Sequence, residues 1–361
     1  MLSQAVVNLA YLVAAILFIL DLKWMSHPRT AAKGNRAGAV GMLIAVVATL
    51  MGPEWQAYGG EGIGWDMILI GLAIGATIGA LAALKIKMTA MPELVGLFNG
   101  FGGMASVFVA ASAIVAAMGT DFATFGGDDA RITQMLIATV ASALIGSVTL
   151  FGSYVAFGKL AEFLAVKWKL YPWQQAIKFG TVVVMLGVAG WYAFSRGFDV
   201  YGSVSLAAAI LMSVVLLAKS DSMPWLNPLK VVSLLGALAL GYVVVREAGD
   251  GGAMLLMQDR GPFWALVAVA GLLGVCLTFS IGGADMPVVI ALLNSYSGIA
   301  AAATGFVINN NALIISGALV GASGIILTNI MCKAMNRSLA NVMFARLGPS
   351  ADTPDADEVY K

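Results

Sequence analysis

Eleven stretches of this chain are apolar over lengths at or near those needed to cross a hydrocarbon core about 30 Å thick, and no other feature restricts its possible folds as sharply. They run over residues 5–22, 38–51, 67–84, 94–118, 132–157, 177–194, 204–218, 231–245, 263–281, 288–308 and 312–331. In lipid a backbone must satisfy its own polar groups, so spans of this length are expected to be helices. Composition agrees, because charged residues make up 11% of the chain where a soluble domain carries roughly 25%. The 42 glycines lie largely inside the apolar runs, as they do where helices pack closely in a membrane. The expected fold is all-α, a polytopic transmembrane bundle of about eleven spans. The second, seventh and eighth runs are the shortest, and nine spans result if the last two of these are re-entrant or surface helices.

Charge sets the expected orientation. All Lys and Arg residues except Arg131, Arg196, Arg246 and Arg260 fall on one side of the alternating loops, which by the positive-inside bias places the amino terminus outside and the carboxyl terminus inside. A formal net charge of +1 supplies no basic field for nucleic acid. Cys276 and Cys332 sit within apolar runs without CxxC spacing, so neither a disulfide framework nor a Cys-based metal site is implied. The first run has no charged segment ahead of it and no small-residue cleavage pattern after it, and reads as a retained span.

Two stretches repeat one another. Met91-Pro-Glu-Leu-Val-Gly-Leu-Phe-Asn99-Gly-Phe-Gly-Gly103 matches Met286-Pro-Val-Val-Ile-Ala-Leu-Leu-Asn294-Ser-Tyr-Ser-Gly298, and the following spans match through Ala143-Leu-Ile-Gly146 with Ser153 against Ala318-Leu-Val-Gly321 with Thr328. The repeat unit is therefore a helix pair in parallel orientation. Each asparagine lies seven residues after its proline, roughly 10 Å inside the cytoplasmic boundary. Two amides at one depth suggest a shared polar site, while a membrane asparagine also serves simply to hydrogen-bond a neighbouring helix. The spacings Gly71-xxx-Gly75-xxx-Gly79 and Gly317-xxx-Gly321 are expected to let helix backbones approach closely.

No Asp, Glu, Lys, Arg or His is expected deep in any span, and the single histidine, His27, reads as a solvated residue of the first inner loop. Acid–base chemistry is thus not assembled from this chain alone. Neither GxGxxG nor GxxxxGK[ST] occurs, so no nucleotide domain is expected here. Residues 346–361, small, polar and acidic, read as an interdomain linker.

Met91-Pro-Glu-Leu-Val, Phe157-Gly-Lys-Leu160, Ile281-Gly-Gly-Ala-Asp285-Met-Pro-Val, Leu293-Asn-Ser-Tyr-Ser-Gly298, Gly317-Ala-Leu-Val-Gly321 and Met331-Cys-Lys-Ala-Met-Asn-Arg-Ser338 closely resemble the beta subunit of the proton-translocating nicotinamide nucleotide transhydrogenases. The resemblance covers residues 5–157 and 280 to about 342. It implies a transmembrane proton-translocating domain over 1–345, in a bacterial inner membrane, that couples proton movement to hydride transfer between NADH and NADP+ on partner domains. No cofactor would be bound by this chain itself. NAD(H) would sit on the alpha subunit and NADP(H) on a further domain beyond the linker, absent from this chain, with protomers pairing as dimers. Asn99, Ser153, Asn294 and Ser295 would line the proton route, Asp285 would face the NADP(H) domain, and Gly317, Gly321 and Gly324 would serve packing that shifts during coupling.

Three departures from the family pattern stand out. Many relatives have His where Asn99 stands, and an amide cannot take up a proton near neutral pH as imidazole does. Residues 158–280 carry four candidate spans where the family usually has two, an insertion that preserves topology. The family's beta subunit also continues past its linker. The alternative from another class is a stand-alone secondary transporter whose parallel repeat encloses a small polar solute, and a third is a non-catalytic remnant that only assembles with relatives.

Overall fold

The computed structural model describes residues 3–52, 65–119, 129–162, 164, 172–195, 199–217, 226–249 and 261–343. Their long elements are all helices: α1 (Gln4–Met25), α2 (Ala31–Leu50), α3 (Trp65–Lys85), α4 (Met91–Gly119), α5 (Asp129–Leu160), α6 (Pro172–Ser195), α7 (Val200–Leu217), α8 (Leu226–Gly249), α9 (Gly261–Phe279), α10 (Met286–Val307) and α11 (Asn311–Ala334), followed by the single-turn α12 (Leu339–Met343). Each apolar run thus lies on one long helix. Among the described residues eight of these, α1, α3, α4, α5, α8, α9, α10 and α11, are long and apolar enough to cross a membrane. The eighth run is among them. α2 carries Lys33 and Arg36 in its first turns, and the described apolar stretches of α6 and α7 are shorter. Arg196 and Arg260, and the linker expected over 346–361, lie outside the described residues.

α9 sits at the centre, packed by α5, α7 and α8. It is apolar all round, the pattern of a helix buried on every side, and Phe263, Leu266, Val275 and Phe279 are shielded from solvent. Cys276 is enclosed there too, and Cys332 lies in the smaller core that α10, α11 and α12 share. The repeated pairs α4–α5 and α10–α11 join α9 through α5, which also packs on α10, while α10 packs on α4. α1 and α2 form a hairpin that reaches the rest of the bundle at α11.

That last junction is polar. Asn310 caps α11, its Oδ1 accepting from the Leu313 amide at 3.0 Å, a cap that contributes about 1 kcal/mol in typical helices. Its Nδ2 donates to Tyr11 of α1 at 3.2 Å and to Thr49 of α2 at 3.3 Å. One amide therefore fixes the height of the hairpin against α11.

The repeat is visible as geometry. A Cβ on Gly103 would lie 2.5 Å from the Gly146 carbonyl oxygen, and a Cβ on Gly298 would lie 2.5 Å from the Gly321 amide nitrogen. These are corresponding positions of the two pairs, so α4 meets α5 where α10 meets α11. Without hydrophobic drive between helices in lipid, such close backbone approach supplies the dispersion contact that holds a pair. The Gly71, Gly75 and Gly79 spacing of α3 does not do this: a Cβ at any of the three meets nothing within 4 Å, and no described residue of α3 is buried. Small-residue spacing permits an approach, and here nothing among the described residues takes it up.

Candidate functional site

The polar residues singled out from the sequence gather around one level of the bundle. Asn99 is buried, and its Nδ2 donates to the Ile290 carbonyl of α10 across 3.4 Å, one turn before Asn294. Gly100, the next residue on α4, faces Ser153 of α5, a Cβ there lying 3.3 Å from the serine Cβ. Gly152 in turn faces Leu293 of α10. Asn99, Ser153 and Asn294 therefore stand at matching heights on three packed helices. Further along, Gly102 lies against Ser297, the equivalent place in the repeat, so α4 and α10 run parallel and in step.

Hydrogen bonding separates these residues. Ser295 is fully buried and its Oγ donates to the Gly321 carbonyl at 2.7 Å, while a Cβ on Gly324 would lie 2.8 Å from Ser295 Cα. Ser153 Oγ is buried and has no hydrogen-bond partner. An unpaired buried hydroxyl costs about 1–3 kcal/mol, so Ser153 stands ready to bond whatever enters beside it. Asn294 is half-buried and its carbonyl accepts from Ser297.

Roughly 15 Å further along α10 lies a second buried polar contact, which sequence reading missed. Ser142 and Thr304 share a 2.7 Å hydroxyl–hydroxyl bond between α5 and α10, and Ser142 also donates to the Ser106 carbonyl of α4 at 3.1 Å. Hydroxyls are common in membrane helices, and nothing in either local sequence marks these two as partners.

At the other end, Asp285 closes a 3-10 turn (Gly283–Asp285) and stands at the N-cap position of α10 without a side-chain capping bond, with Pro287 in the first turn where its missing donor is harmless. Asp285 is buried; Arg337 holds its Oδ2 at 2.9 Å, and its Oδ1 has no partner. Lys159 donates to the carbonyls of Phe279 at 2.6 Å and Ile281 at 2.9 Å, capping the end of α9. Lys230, only 2% exposed, donates to Ser280 Oγ at 2.7 Å and to the Met343 carbonyl at 2.9 Å. Three cations thus fasten the turn over 279–285. Two ionisable groups that sequence reading did not single out are enclosed between helices, Lys230 and, as described below, Asp21. Both sit near run ends, where sequence cannot tell how far a neighbouring helix extends past them.

Among the described residues no group of three His, Cys, Asp or Glu could hold a metal. The described elements contain no strand, and a dinucleotide crevice is built at strand–turn–helix junctions. The described residues build no such junction.

What the fold and the polar level define is an all-α, multi-pass membrane protein with an internally repeated helix pair meeting around buried amides and hydroxyls. Residues 7–360 match the family described as the NAD(P) transhydrogenase beta subunit. The "NAD(P) transhydrogenase subunit beta" of Rhodospirillum rubrum is 36% identical over 339 residues, which cover 94% of this chain and 58% of that protein, and the protein of the same name from strain ATCC 11170 matches equally. This chain belongs to that family, and it spans somewhat over half the length of the curated relatives it matches.

Proposed function

We propose that this chain forms the transmembrane proton-translocating part of an NAD(P) transhydrogenase, over residues 1–345, with 346–361 leading toward an NADP(H)-binding domain and 158–280 containing an inserted helix pair. In this reading it lies in a bacterial inner membrane with eleven spans, amino terminus outside. It acts with an alpha subunit that binds NAD(H), in a dimer of protomers. The proton route runs along α10 from the level of Ser142 and Thr304, past Asn99, Ser153, Asn294 and Ser295, to the NADP(H) side at Asp285. The observation that carries the reading is the meeting of the two repeat-related helices at Asn99 and Ile290, with the unpartnered Ser153 hydroxyl beside them.

Neither amide nor hydroxyl titrates near neutral pH, so these residues would orient hydrogen bonds for a passing proton while α10 and α11 change their packing at Gly317, Gly321 and Gly324. Coupling then means that nucleotide binding elsewhere biases a two-state arrangement of these helices. The test is reconstitution of the chain in liposomes with both nucleotide-binding partners, following hydride transfer and internal pH together. Proton movement that accompanies hydride transfer, and that falls at least tenfold in Asn294→Ala, is the expected result. Full pumping in that variant removes Asn294 from the route, and solute uptake by the chain without partners would favour a transporter instead.

A further inference from the structure

The first apolar run ends in Ile19-Leu20-Asp21-Leu22, which puts a carboxylate on α1. Asp21 is half-buried on α1, with Oδ1 buried and without a hydrogen-bond partner. Opposite it on α2 stands Gly38, where any Cβ would collide with Oδ2. The glycine makes the space that the carboxylate fills. On the third side a cavity of about 350 Å³ opens between Asp21 and α11, lined there by Ser316, Leu319 and Val320.

The depth of this place follows from register. Tyr11 of α1 meets Asn310 at the start of α11; ten residues later on α1 comes Asp21, and ten residues later on α11 comes Val320, its neighbour across the cavity. The two helices run parallel and in step. α11 has 24 residues and so extends about 36 Å, with Val320 about 15 Å from its start. Asp21 therefore lies near the middle depth of α11, at the height where Gly321, on the face toward α10, accepts from Ser295.

A carboxylate oxygen without a donor is costly at that depth, and intramembrane carboxylates are rare for this reason. No counter-ion offsets it here. α2 presents Gly34, Gly38 and Ala39, and α11 presents Ser316, Leu319 and Val320, none of which titrates. The basic residues flanking in sequence, Lys23 on α1 and Lys33 and Arg36 on α2, are exposed, and no ion pair to Asp21 occurs among the described residues. A proton is the smallest charge that fits the space.

We propose that Asp21 is a proton-binding carboxyl of the membrane domain, loading and unloading through the cavity between the α1–α2 hairpin and α11. Its use in pumping rests on the proposed function, where it would supply the titratable group that Asn99 does not; proton binding itself does not rest on that reading. α11 stands between Asp21 and Ser295, so the same movement of α11 along its glycines would reshape the cavity.

The experiment is infrared pH-difference spectroscopy of the full chain in phosphatidylcholine liposomes, comparing the wild type with Asp21→Asn and Gly38→Ala. The expected result is a protonated-carboxyl carbonyl band in the wild type that changes reversibly with pH, absent from Asp21→Asn and displaced or lost in Gly38→Ala, where a methyl group enters the carboxylate's space. Identical spectra for the wild type and Asp21→Asn overturn the proposal. A band that follows added sodium at constant pH also overturns it, in favour of a metal-cation site. In the assembly with nucleotide-binding partners, Asp21→Asn is expected to lower pumping at least tenfold. A titrating Asp21 band in a wild-type assembly that carries out no transhydrogenation sinks the functional reading and leaves the proton site standing, whereas normal pumping without the band does the reverse.

Discussion

Adding one methyl group to Gly103 or to Gly298 tests whether the two helix pairs are held by equivalent contacts. In Gly103→Ala the new Cβ would begin 2.5 Å from the Gly146 carbonyl oxygen and 2.9 Å from the Leu150 nitrogen; in Gly298→Ala it would begin 2.5 Å from the Gly321 nitrogen and 2.9 Å from the Gly317 oxygen. Ordinary contact starts at 3.4 Å, and the obstructing atoms are backbone, so neither site relaxes by turning a side chain. The helices must part by roughly 1 Å, and a gap of that size forfeits up to about half of each dispersion well along the seam. Overpacking of this kind costs about 1–3 kcal/mol, partly offset by the roughly 1 kcal/mol that alanine gains over glycine within a helix. Both variants should therefore unfold at lower temperature than the wild type, by similar amounts. Gly75→Ala is the control, because its Cβ meets nothing within 4 Å and only the propensity gain remains. The assay is thermal unfolding of the purified full chain in one detergent, read by intrinsic fluorescence. The reasoning is refuted if Gly103→Ala and Gly298→Ala melt at or above the wild-type temperature, or if Gly75→Ala is the most damaging of the three.

Two further predictions bear on the site. Arg337→Ala leaves buried Asp285 without a partner on either oxygen, but the 35% exposure of the Arg337 side chain admits screening, so the loss should be about 1–2 kcal/mol rather than the larger cost of a fully buried pair. Asp285→Asn combined with Arg337→Ala should recover part of it, and denaturant unfolding of the single and double variants gives the coupling. Ser153→Ala removes a buried hydroxyl that has no hydrogen-bond partner, so its thermal unfolding should lie at or above the wild-type temperature while proton movement falls; a clear loss of stability would show that the hydroxyl has a structural partner.

The fold was legible because both of its controlling signals are local. Run length follows from bilayer thickness, and the Met-Pro start followed by Asn and Gly at fixed spacing repeats where α4 and α10 begin. The same locality explains what was missed. The sequence around Asp21 says that it lies near the end of an apolar run, but not that the hairpin is offset so that this end stands beside the middle of α11. Tyr11 and Asn310 set that offset across 299 residues. Ser142 and Thr304 became partners in the same way, through packing of α5 on α10. Gly71-xxx-Gly75 and Gly317-xxx-Gly321 are indistinguishable as patterns, yet among the described residues only the second has a helix against it, because spacing determines what a backbone permits and tertiary packing determines what arrives.

The fastening of the 279–285 turn bears on how coupling could travel under the proposed function. Lys159 reaches the turn from α5, Lys230 from α8 and Arg337 from the segment after α11, so the start of α10 is tied to three elements at once. Lys230 additionally holds the Met343 carbonyl at the end of α12, just before the segment that in the proposed function leads toward an NADP(H)-binding domain. A force on that segment would reach Ser280 through a single ammonium group and α10 through Asp285. α10 carries Asn294 and Ser295 on one continuous helix, and its contact with α11 at Gly298 and Gly321 is tight enough that small displacements are resisted until the packing changes as a unit. Charge at the turn and glycine at the seam thus act on the same rod, the first as the handle and the second as the detent.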